Sequence, residues 1–162
     1  MDTRKTIIDL LRNTGRKGIE NVIELLENSN FFSIGCHSHH KYEGGLADHA
    51  LETLSIARRR CRNVSDESIV IASLLHDLCD INRYRKIKGH GWRSAELLTK
   101  ICHLEMSTDE YNAVRYHMKD KYERPVRTSL ELGVYTADKR RLCRSLLLCS
   151  ALCQMRRRRV NS

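Results

Sequence analysis

Four side chains in this sequence combine types that could share a cation with spacings that turn them inward. His49 lies three residues after Leu46 and one before Ala50, on the same helical face as Thr53, so its imidazole points toward a core. A buried imidazole needs a partner. His76 and Asp77 directly follow Ala72-Ser73-Leu74-Leu75. That order places an imidazole and a carboxylate together at the end of a buried helix, where an unneutralised carboxylate is costly. Asp138 closes the mostly apolar approach Val134-Tyr135-Thr136-Ala137. A divalent cation would satisfy all four groups. Two imidazoles and two carboxylates form a borderline-to-hard ligand set that accepts Mn, Fe, Ni, Zn or Mg and leaves positions open for water and substrate. Taken singly, each residue also has an ordinary structural reading, as a hydrogen-bonded core histidine or an aspartate paired with an arginine.

The elements that must position these residues are helices. Ile19, Val22, Ile23, Leu25 and Leu26 follow three-to-four spacing, as do Leu46, Ala50, Thr53, Leu54, Ala57 and Cys61. Ser65, followed by Asp66 and Glu67, starts a helix through Ile69, Ile71, Ala72, Leu74 and Leu75 that should end soon after Asp77. Trp92, Ala95, Leu98, Ile101 and Cys102 mark a fourth helix, and Ser107 with Glu110 forms a capping box ahead of a fifth. Leu130 to Met155 supplies one or two more. The glycines and the single proline, Pro125, punctuate the chain between helices. No run of alternating polarity is long enough to build a sheet, so the expected fold is all-α, a single-domain compact helical bundle over residues 1–162.

The chain has 162 residues, 41% of them hydrophobic, enough for one core and too many for a disordered chain. Its longest apolar stretches are far below the roughly 20 residues of a bilayer span, and its first residues do not read as a secretion signal. The expectation is a cytoplasmic protein with no membrane partner. Seven cysteines, an odd number without a CxxC pair, read as reduced core thiols. Charge is uneven: residues 1–81 carry 10 basic and 12 acidic side chains, while 82–162 carry 19 and 8. Such a basic half suits a polyanionic partner or substrate. Alternatively, Arg58, Arg59, Arg60 and Arg62, and the run from Arg156 to Arg159, simply close helices where cations meet the dipole.

An ordered pattern of a histidine, a His-Asp doublet and a distant aspartate resembles the HD-domain metal-dependent phosphohydrolases. The contexts agree: Tyr42-Glu43-Gly44-Gly45-Leu46-Ala47-Asp48-His49 resembles the start of the first-histidine helix, Leu74-Leu75-His76-Asp77-Leu78 the doublet, and Ala137-Asp138-Lys139 the last element. The resemblance covers most of residues 36–145, leaving a basic helix end at 146–162. It implies that His49, His76, Asp77 and Asp138 form the first metal shell. Members with two metals add histidines between the doublet and the last aspartate, and here His90 in Gly89-His90-Gly91-Trp92 and His117 in Arg115-Tyr116-His117-Met118 resemble those positions. Met118 stands where such members often have another histidine, so one ion is expected and a second is left open.

The resemblance further implies hydrolysis of a phosphoester in a nucleotide or related small phosphate compound by metal-activated water. Asp77 would bridge ions or orient the water. Asp80, three residues on, where some members carry lysine or glutamate, is a second catalytic candidate as an acid, a base or a water-orienting group. Lys41, Arg93, Lys139 and Arg140 lie near the motif elements and are candidates for phosphate oxygens. His37, His39 and His40 form a loop cluster that could touch substrate, or simply face solvent. The competing reading is a nucleic-acid-binding or regulatory helical module, or a relative of the bacterial 3'-5' exoribonucleases, with a structural or vestigial metal site.

Overall fold

The computed structural model describes residues 2–36, 40–78, 81, 89–118 and 125–139, and every regular element among them is helical. In chain order these are α1 (Thr3–Arg12), α2 (Ile19–Glu27), α3 (Gly45–Arg60), α4 (Asp66–Leu75), α5 (His90–Glu96), which runs on into a π-helical turn (Leu97–Ile101), α6 (Thr108–Arg115) and α7 (129–139). The protein is an all-α bundle. None of its described helices is long and apolar enough to cross a membrane.

Local chemistry sets several helix starts. Asp2, Ser65 and Ser107 cap α1, α4 and α6 by accepting the backbone N–H three residues on. The Glu110 carboxylate returns a bond to the Ser107 backbone N–H at 2.7 Å, which completes the capping box. Caps of this kind are worth about 1 kcal/mol each. α1, a helix beyond those expected from the sequence, buries a stripe of Ile7, Ile8 and Leu11.

Packing then joins the helices in pairs. α3 lies on α4, α5 on α6, α4 also touches α6, and α1 rests against α2, α3 and α4. The core runs through Leu11, Leu26, Leu54, Ile71, Leu74, Leu75, Leu98 and Leu130. Arg58, in the last turn of α3, grips both oxygens of Asp66 at 2.7 Å, so part of the arginine cluster ties α3 to the start of α4. Glu110, fully buried, receives two bonds from Arg16 at 2.9 and 3.0 Å and one from Ser68 at 2.6 Å. This carboxylate locks α6 to α4 and to the α1–α2 connection.

One predicted face is corrected. The sequence pattern groups Trp92 and Ile101 with Ala95, Leu98 and Cys102, yet they are 47% and 66% exposed. For Ile101 the cause is the change of helix type, since the Cys102 N–H bonds to the Leu97 carbonyl, five residues back, and a constant 3.6-residue period fails there; Trp92 precedes that turn, and the buried face of α5 is taken by Gly91, Ser94 and Ala95.

Candidate metal centre

Two histidine pairs meet at the centre of the bundle. His49 from α3 and His76, just past α4, bring their Nε2 atoms to 3.0 Å. His90, which opens α5, and His117, just past α6, do the same at 3.0 Å. Asp77 lies between them. Its Oδ2 is 3.5 Å from His49 and 3.4 Å from His76, while its Oδ1 is 3.5 Å from His90 and 3.0 Å from His117. Asp138, on the buried face of α7 with Leu130, Val134 and Ala137, reaches only the first pair, with Oδ1 3.4 Å from His49.

The backbone decides which nitrogen of two of these rings faces inward. His76 Nδ1 is 2.8 Å from the Ser73 carbonyl, and His117 Nδ1 is 2.7 Å from that of Val114. A carbonyl only accepts, so each Nδ1 carries a proton and each Nε2 offers a lone pair to the centre. Two close backbone approaches bring the partners in. A Cβ at Gly45 would collide with the His40 carbonyl, and one at Gly91 with the carbonyls of Val114 and Arg115. The second approach seats His90 against the turn that carries His117.

The electrostatics follow from this crowding. Burial by itself would lower the His49 pKa, but Asp138 and then Asp77 outweigh it and raise it to about 9. Asp77 is pushed up by burial yet held well below the usual carboxylate range by His76, with His117 and His49 adding to the effect. Asp138 is likewise lowered against burial, chiefly by His49. His117 is raised because Asp77 overcomes its burial. His90 moves the other way: burial and the neighbouring His117 lower it.

This donor set fits divalent cations. The donor atoms of His49, His76 and Asp138 all lie within 4.8 Å of one another, as do those of His76, Asp77 and His117. Bonds of about 2.1 Å place ligands of one ion about 3 to 4.2 Å apart, so both groups could close on an ion with small shifts. Asp138 Oδ2 is buried without a hydrogen bond, a cost that a cation would remove. His49, His76, Asp77 and Asp138 could hold a first ion, and Asp77 with His90 and His117 a second.

The other candidates are spread around this centre. Lys41 and Arg93 are exposed, while Lys139 is half-buried with Nζ 3.1 Å from the Tyr135 hydroxyl. His40 pairs with Glu52 at 3.8 Å, and its ring centroid is 6.3 Å from that of His49. Asp80, Arg140, His37, His39 and the run from Arg156 to Arg159 lie outside the described residues. Cys61 and Cys102 are buried thiols, as expected. Cys36 is the exception: half-buried, it groups with His49 and Asp77, and no periodicity marks that placement because it sits in a loop. The family model described as HD domain matches residues 46–149, well over half of the chain, and spans both histidine pairs and both aspartates. No curated protein and no solved structure matches the chain significantly.

Proposed function

Because the chain belongs to the HD domain family, whose members point to metal-dependent hydrolysis, we propose that it hydrolyses a phosphoester bond of a nucleotide or related small phosphate compound. The observation that carries this reading is Asp77, a single carboxylate with one oxygen toward each histidine pair. A divalent cation bound there supplies a Lewis acid for phosphate oxygens and lowers the pKa of water from 15.7 toward about 7. The chain's own residues set the conditions for that chemistry. His76 and His117 present preset Nε2 lone pairs, and Asp77 turns one carboxylate oxygen toward each pair. Asp138 is the second carboxylate of the first set and helps offset the charge of a dication. Lys41, Arg93 and Lys139, with Arg140 beyond the described residues, are the cations proposed to meet phosphate.

The excess of basic residues in 82–162 supports an anionic substrate and also favours a second reading, a nucleic-acid partner. One experiment ranks them. The purified chain is analysed for metal and assayed on phosphomonoesters, phosphodiesters, nucleotides and oligonucleotides with added Mn, Fe, Ni, Zn or Mg. Turnover that chelator abolishes and metal restores is the expected result. Salt-sensitive oligonucleotide binding that is indifferent to chelator, with no turnover on any substrate, would replace the hydrolase by the binding module.

A further inference from the structure

Cys36 lies outside the pattern that marks the other candidate ligands, yet its sulfur comes within 4.8 Å of a ring nitrogen of His49 and a carboxylate oxygen of Asp77. Its position is imposed by the backbone. The Ile34 carbonyl accepts the Leu46 N–H at 3.0 Å and the Ser33 carbonyl accepts the Gly44 N–H at 3.1 Å, which pins the preceding loop to the start of α3. The Cys36 N–H then donates to the His40 carbonyl at 2.9 Å, closing the loop on itself. Leu46 is three residues before His49, so the same bonds that anchor the loop bring the thiol beside that imidazole. An independent sign of a vacant ligand demand lies in the adjoining group, which shares His49 with that of Cys36: Asp138, 5% exposed and 3.4 Å from His49, keeps Oδ2 without a hydrogen bond.

We propose that Cys36 is a further ligand of the first cation position, joining His49, His76, Asp77 and Asp138 through its thiolate. Opposite ligands of one ion at sulfur and nitrogen bond lengths are about 4.4 Å apart, so the observed grouping needs only a small inward shift of the sulfur. His49 serves the first position alone, which decides between the two. On binding, the Cys36 thiol releases its proton to solvent as the sulfur–metal bond forms. A soft sulfur added to two imidazoles and two carboxylates tilts the position toward Zn, Co or Fe and away from Mg. This inference rests on the metal-centre reading above and adds a selectivity determinant to it.

Cobalt(II) tests it on the full chain, with a phosphine reductant in place of a competing thiol. Wild type should show visible d–d bands together with a near-ultraviolet thiolate-to-cobalt charge-transfer band. Cys36→Ser and Cys36→Ala, checked for native helical circular dichroism, should keep the d–d bands, lose the charge-transfer band and bind Zn at least about tenfold more weakly, with Mg affinity unchanged. Cobalt bands without charge transfer, or a charge-transfer band that survives both variants, overturns the role of Cys36 and leaves the metal centre standing. No d–d bands in wild type would overturn the metal centre itself, and this inference with it.

Discussion

The α3–α4 and α5–α6 halves of the site use the same device with different completeness. In each, two histidines 27 residues apart bring their Nε2 atoms to 3.0 Å. In each, the second histidine follows a helix and donates Nδ1–H to the carbonyl three residues back. The residue after it separates them: Asp77 follows His76, whereas Met118 follows His117. Among the described residues, the first pair therefore has carboxylates from Asp77 and Asp138, and the second has the far oxygen of Asp77. His49 is fully buried and its pKa is raised, while His90 is partly exposed and its pKa is lowered. Among the described residues, one architecture used twice carries two carboxylates at the first pair and one at the second, so the affinities of the two pairs for a cation should differ.

That asymmetry collapses most completely at Asp77, which belongs to both halves. Asp77→Ala should remove metal from both positions and lower turnover at least about 1,000-fold, with helical circular dichroism retained. Metal analysis showing undiminished content would refute the shared role. Next in size is the contrast between the two first histidines. His49→Ala should reduce metal affinity at least about 100-fold, and His90→Ala roughly 10-fold, since it touches the weaker position. Equal losses in parallel calorimetric titrations would mean that the halves are equivalent. Met118→His adds an imidazole next to His117 and should tighten cation binding at the second half on the order of tenfold, about 1.4 kcal/mol. A titration unchanged by this replacement would show that Met118 does not face the position. Smallest for the asymmetry is Arg16→Met. It leaves Glu110 buried and charged without its main partner, so it should destabilise the fold by about 3 kcal/mol and leave the ratio of the two affinities unchanged. Denaturant melts beside the same titrations test both halves of that statement.

Much of this was legible in one dimension, for identifiable reasons. Leu46, Ala50, Leu54 and Ala57 repeat at helical spacing, so α3 and the inward face of His49 follow from periodicity. Ser107 and Glu110 announce α6 through hydrogen bonds that span only three residues. The ordered histidine and aspartate motif carried the family resemblance. Other features resisted. The π-helical turn breaks the period that places Ile101 inside, and Gly91 and Ser94, which carry no apolar signal, take the buried face of α5 in place of Trp92. Cys36 sits in a loop, where spacing carries no directional information. The matching approach of the second histidine pair depends on Gly91 letting α5 come close to the turn after α6, which is a contact between distant segments.

Residue order alone determined the helical class, the helix starts at Ser65 and Ser107, and the inward turn of His49, His76, Asp77 and Asp138. These follow from forces acting within a few residues: hydrogen bonds to nearby backbone groups and the repeat of an apolar face. Tertiary structure alone decided that the two oxygens of Asp77 divide between the histidine pairs and that Asp138 joins only the first. It also decided that the Cys36 sulfur comes within reach. Distances between segments are set by how whole helices pack, and no local interaction encodes them.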